Sequence, residues 1–173
     1  MEILIEFGKL LIPALLVLYA MYLTVKSVLE KNLEGKEIDL KIKNYEPLLP
    51  LRLQAYERIA LLLERISPNN IMLRLNRPDL TAKEFQIILV KEIREEFNHN
   101  ISQQIYIGEE TWALVRKAIE DTINLINKSA MNMKEEAKSV DLTKAVFAEV
   151  MGDQVDSIQY ALSQLKKEVS QFY

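Results

Sequence analysis

The stretch REEFNH sets Glu96 and His99 three residues apart, a carboxylate and an imidazole on one helix face. Helical bundles that hold di-iron or di-manganese use this Glu-x-x-His spacing, but on two helices and with two further glutamates. The chain has 1 histidine, so one protomer cannot complete such a set, although a symmetric dimer would bring two copies together. Glu96 and His99 are the metal-ligand candidates. The plainer reading is that His99 closes its helix, where a cation is favoured. Other chemistries find less. With 0 cysteines there is no thiol catalysis, Cys-ligated zinc or disulfide framework. There is no Gly-x-Ser-x-Gly elbow, one histidine cannot indicate a triad, and no glycine-rich phosphate loop occurs. No cofactor and no enzymatic activity are expected.

The same region continues as NHNISQQIYI, a run of amides and hydroxyls without charge. Asn98, Asn100, Gln103, Gln104 and Tyr106 offer many hydrogen-bonding groups, which suits contact with a protein partner. The competing reading is an internal segment whose amides cap neighbouring helices. Its form is open between a loop, a short helix and a strand with no evident mate. Two sequons, Asn100-Ile-Ser102 and Asn127-Lys-Ser129, recur readily by chance.

These residues need helices to place them. Leu53, Tyr56, Ile59, Ala60, Leu63 and Ile66 recur at helical spacing opposite a charged face. Ser67-Pro68 has the cap-then-proline form of a helix start, giving a short helix over NNIMLRL. Thr81 and Glu84 form a T-x-x-E capping box, which predicts a helix over Ala82–Asn98 with Phe85, Ile88, Leu89, Ile93 and Phe97 along one side. A longer helix is expected from Glu109 past Ala130, its stripe running through Trp112, Val115, Ile119, Ile123 and Ile126. Trp112 reads as core. Another helix is expected from Leu142, with Gly152 bending or interrupting it. The last stretch alternates spacings of three and four at Val155, Ile158, Leu162, Leu165, Val169 and Phe172. Such a seam packs inside the domain's own bundle or pairs with a second chain as a homo-oligomer.

Upstream, Leu10 to Val25 carries no charge. As a helix it spans about 24 Å, and starting at Ile3 extends it to roughly 34 Å, against a bilayer core of about 30 Å. Glu6 and Lys9 then sit near one end, and Tyr19 and Tyr22 near the other, where amphipathic rings favour an interface. The start is acidic and YAMYLTVKS lacks a small-x-small site, which argues against a cleaved export signal. Apolar side chains all round argue against a core helix, unless a large domain wraps it. The expectation is a transmembrane anchor helix over residues 1–34 (span 3–25), a linker over 35–50 and a helical domain over 51–173. Lys26, Lys31, Lys36, Lys41 and Lys43 follow the span, so the N-terminus should lie outside and the domain in the cytoplasm. The same lysines could also touch anionic lipid.

Composition agrees with an all-α fold, a transmembrane helix followed by an antiparallel helical bundle. Only 4 of the 173 residues are glycine, and 49% are apolar. A net charge of −3 supplies no electrostatic reason for nucleic-acid binding.

LRLQAYERIALLLERISPNN and REEFNHNISQQIYIGEETWALVRKA, behind an apolar N-terminal segment, resemble an uncharacterised bacterial family of small proteins anchored by one transmembrane helix. The resemblance covers most of Leu51 to Ser129. It implies a bacterial source and the anchor-plus-helices plan, and carries no assigned activity, cofactor or site residue. Gly108 stands where a cap-type residue is usual. The expected function is a non-enzymatic scaffold or interaction module in the bacterial inner membrane. It would hold the bilayer through the N-terminal helix and an unidentified protein through its domain. The alternatives are a metal-binding bundle and a lipid-surface sensor working through the basic linker.

Overall fold

The computed structural model describes residues 15–29, 31, 48–152 and 156–172. The chain divides into two units, Met1–Leu49 and Pro50–Tyr173. In the first, residues 15–29 form helix α1. Its large apolar side chains are 47–66% exposed, and the Thr24 hydroxyl donates to the Ala20 carbonyl at 2.8 Å. Among the described residues no helix is long and apolar enough to cross a membrane. Residues 3–14 of the expected span and residues 35–47 of the expected linker lie outside them.

The second unit is all-helical. It comprises α2 (Leu48–Ile66, whose first two residues belong to the first unit), α3 (Pro68–Leu75), α4 (Ala82–Asn100), a 3-10 helix (Ile101–Tyr106), α5 (Glu109–Met131), α6 (Ser139–Gly152) and α7 (Ser157–Val169), closed by a 3-10 turn (Ser170–Phe172). Its sole extended pairing among the described residues is an isolated antiparallel bridge between Thr81 and Lys138. Helix α2 starts inside the segment expected to be linker. Pro50 falls in its first turn, where a missing N–H breaks no helical bond. The capping box forms as the sequence predicts: Glu84 N donates to Thr81 Oγ1 at 3.2 Å, and Thr81 N to Glu84 Oε2 at 2.9 Å. Helix α6 begins at Ser139 rather than Leu142. Asp141 accepts from Lys138 N at 3.0 Å, and backbone bonds between Ala137–Ser139 and Leu80–Ala82 hold the entry in place.

One core joins these helices, from Ile59, Leu62, Leu63 and Ile66 of α2 to Phe85, Leu89 and Ile93 of α4, Val115 and Ile126 of α5 and Leu142 of α6. Helix α5 is central, packing on α4, α6 and α7. It runs antiparallel to α4. The Phe97 and Trp112 rings stack 5.8 Å apart at one end, and Gln86 Nε2 donates to Asn127 Oδ1 at 2.8 Å toward the other. Side-chain contacts tie helix α2 to the C-terminal half of α4 and the segment after it. Arg65 of the last α2 turn meets Glu96 at 3.3 Å, while Arg52 Nε donates to the Tyr106 carbonyl beyond the end of α4. The seam Ile158, Leu162 and Leu165 is buried in this core, with Val169 and Phe172 half-buried against it. The domain thus uses the stripe for its own packing. Val155 lies outside the described residues.

Candidate functional site

Three helices meet at one carboxylate. Glu168, in the last turn of α7, accepts from the Tyr56 hydroxyl of α2 at 2.6 Å and from the Gly108 backbone N–H at 2.7 Å, both on Oε1. Gly108 is the N-cap of α5 and has no side chain to satisfy the first N–H groups of that helix. Glu168, 60 residues away, satisfies the N–H of Gly108 itself, one of the free donors at this helix start. A carboxylate also complements the positive N-terminal end of the α5 dipole. Arg52 completes the group. Its guanidinium lies 4.3 Å from the centroid of the Phe172 ring, and its Nε donates to the Tyr106 carbonyl at 3.3 Å. Phe172 in turn meets the Tyr56 ring at 5.9 Å.

The cluster explains why position 108 is glycine. Its φ of −62° and ψ of 144° are open to any residue, so the reason is space. A Cβ there would lie 2.9 Å from Glu168 Oε1 and 3.3 Å from its Cδ. Gly108→Ala should push the carboxylate off the helix end and cost about 1–2 kcal/mol of stability in urea unfolding. In a Glu168→Ala background the same change should cost much less, because the clash is gone.

The electrostatics follow from these contacts. Burial pushes the Tyr56 phenol up, its bond to Glu168 adds to this and Arg52 partly offsets it, leaving the group at about 12. For Glu168, burial works upward. It is outweighed by Thr111, Tyr56, the Gly108 N–H and the Arg52 charge, so the carboxyl titrates below its ordinary 4.5. The Thr111 hydroxyl assists without good hydrogen-bond geometry, since Glu168 Oε2 is buried without a partner. A depressed carboxyl stabilises the fold above its unfolded value of 4.5, and that contribution is lost as pH falls through the lower folded value. Glu84 is lowered by the Thr81 N–H and hydroxyl and acts in the same direction. For Tyr56 the raised value favours the neutral phenol. Its contribution is present below 10.0 and lost as pH rises toward about 12. Unfolding free energy measured against pH should therefore fall on both limbs, and Glu168→Gln should flatten the acid one.

Between α2 and α7, next to this cluster, opens a cleft of about 380 Å³. Leu53, Ala60, Leu162, Leu165 and Val169 form its walls, with Glu57 on the α2 rim and Lys166 on the α7 rim. The backbones of α2 and α7 stay farther apart than those of α5 and α7.

Asn98 and His99 are exposed in the last turn of α4. Glu96 turns to Arg65, away from any acidic or imidazole neighbour set; among the described residues no three such groups gather. The amide-rich segment is a 3-10 helix. Asn100 is buried and its Nδ2 donates to the Glu96 carbonyl of its own helix at 2.9 Å. Gln103 is half-buried beside Ser102, Gln104 is exposed, and the Tyr106 carbonyl serves Arg52. Ile105 of this segment is 74% exposed. Trp112 is core. Lys36, Lys41 and Lys43 lie outside the described residues. Sequence spacing alone does not mark Glu168, Arg52 and Tyr56 as a site. Within a Lys/Glu-rich last turn, Glu168 looks like any solvated charge; the one available signal was Gly108, a helix start lacking a local cap.

Fold and site together define an all-helical bundle domain in which three helices meet at one carboxylate beside an apolar cleft. The chain belongs to a family of unknown function (DUF7935), which matches residues 2–172. No curated protein and no solved structure matches it.

Proposed function

We propose that this chain is a non-enzymatic, single-pass anchored interaction module of the bacterial inner membrane, with its helical domain in the cytoplasm and a protein partner recruited there. The observation that carries the reading is α1. Its large apolar side chains are exposed along its length, it holds no charge before Lys26, and the Thr24 hydroxyl is satisfied within the helix. Water is a poor solvent for such a surface and a bilayer a good one. The lysines that follow favour the cytoplasmic side. A second support is the internal use of the site's polar groups: Glu168, Tyr56, Arg52 and Asn100 bind other parts of the domain.

The chain has 0 cysteines, so a single introduced thiol reports cleanly. Lys167→Cys lies on an exposed position of α7. In intact spheroplasts it should resist a membrane-impermeant maleimide and react after permeabilisation. Labelling before permeabilisation would reverse the orientation. Release of the full chain from membranes by alkaline carbonate would remove the anchor itself.

A further inference from the structure

The cleft between α2 and α7 is not required by the anchor reading, and its chemistry is specific enough to name an occupant. Its walls are mostly alkyl side chains, joined by Tyr56 and Ser170, and Ala60 leaves the room that a larger residue would fill. A volume of about 380 Å³ falls within the about 300–1,000 Å³ of small-molecule sites. Two charges of opposite sign mark the mouth, Glu57 on the α2 wall and Lys166 on the α7 wall. Both are exposed, and neither has an ion-pair partner within 4.0 Å among the described residues. An apolar slot with an unpaired anion on one lip and an unpaired cation on the other complements an aliphatic chain carrying both an anionic and a cationic group. We propose that this cleft binds one single-chain zwitterionic amphiphile of the lysophospholipid class, its tail between Leu53, Ala60, Leu162 and Val169. The anionic group meets Lys166 and the ammonium meets Glu57. Tyr56, held by Glu168, also lines the slot.

The full chain, reconstituted in phosphatidylglycerol vesicles, is exposed to a lysophosphatidylethanolamine with a diazirine in its acyl chain. After irradiation, cross-linked peptides are mapped by mass spectrometry. Adducts are expected on the 53–60 and 162–170 segments, competed by unlabelled lysophosphatidylethanolamine. Adducts confined to residues 1–29, or spread over the domain, overturn the proposal. Ala60→Trp should fill the slot and cut capture roughly tenfold, the effect of excluding about two methylenes. Unchanged capture in a variant with a normal thermal transition overturns it. Lys166→Glu, on the exposed rim, should weaken the zwitterionic probe while leaving a monoacylglycerol diazirine probe unaffected. Glu57→Lys combined with Lys166→Glu should restore capture. If the single reversal has no effect, the head-group assignment is wrong. Carbonate extraction of the same vesicles reads the anchor separately, so failure of one reading is distinguishable from failure of the other.

Discussion

Replacing Phe85 with alanine is expected to lower the unfolding free energy of the domain by about 3–5 kcal/mol. Phe85 is 0% exposed and is among the largest fully buried side chains. It stands one turn into α4 behind the Thr81–Glu84 capping box, so its ring cannot shift without breaking the helix start. The surroundings also come from several elements. Helix α4 packs against α3, α5 and α6, and the α6 entry is tied to Leu80 and Ala82 by backbone bonds. A void there cannot close by moving one helix, which places the cost in the upper part of the range for large-to-small changes. Urea unfolding with an unchanged slope would attribute the loss to the native state. Ile87, two residues on but 59% exposed, serves as the control. Ile87→Ala should change stability by less than about 0.5 kcal/mol. Similar losses at both positions would mean that the Phe85 side of α4 does not face the core.

Glu168→Ala is the second large effect, expected at about 2–4 kcal/mol. The change strands a phenol that is 3% exposed as a residue and removes the acceptor of the Gly108 N–H at the start of the longest helix in the domain. Hydrogen bonds to a charged acceptor contribute about 1.5–3 kcal/mol each. The lower part of the range applies to the Gly108 bond, because that amide is exposed and water can replace the carboxylate. Glu168→Gln keeps an acceptor oxygen without the charge and should cost about half as much. A double-mutant cycle with Tyr56→Phe isolates the shared bond and should give a coupling of about 1–2 kcal/mol. Zero coupling would assign the whole effect to the start of α5. Because the bond spans α2 and α7, hydrogen exchange should rise most around Tyr56 in α2 and in the first turn of α5 in the alanine variant.

Much of this fold is legible locally. Helix type follows from apolar spacing of three and four, a property of a single helix turn, so the stripes of α2, α4, α5 and α7 could be read without knowing what they face. The Thr81–Glu84 box and the Ser67–Pro68 start are also local, each completed within three or four residues. Boundaries slipped where a long-range contact sets them. Helix α6 begins at Ser139 because the chain there pairs with Leu80–Ala82, and no periodicity in its own sequence carries that. The amide-rich segment stayed ambiguous because Asn, Gln and Ser favour several local forms. Its 3-10 conformation connects α4 to the place where Glu168 meets the start of α5.

What the sequence alone determined is the class: an all-helical domain behind an apolar N-terminal segment, without cysteine chemistry and with too few histidines for a one-chain metal or triad site. Tertiary structure decided how the side chains are spent. It assigned the seam of α7 to the internal core and turned Glu96 toward Arg65. It left Leu53 and Ala60 half-buried along a cleft, although they belong to the same stripe as the buried Ile59 and Leu63. It also brought Glu168 to the Gly108 N–H, at a helix start 60 residues away. The physical reason is that periodicity tells which face of a helix is apolar, whereas the distance to the opposing helix decides whether that face meets side chains or space. A carboxylate's role likewise depends on which helix terminus arrives beside it.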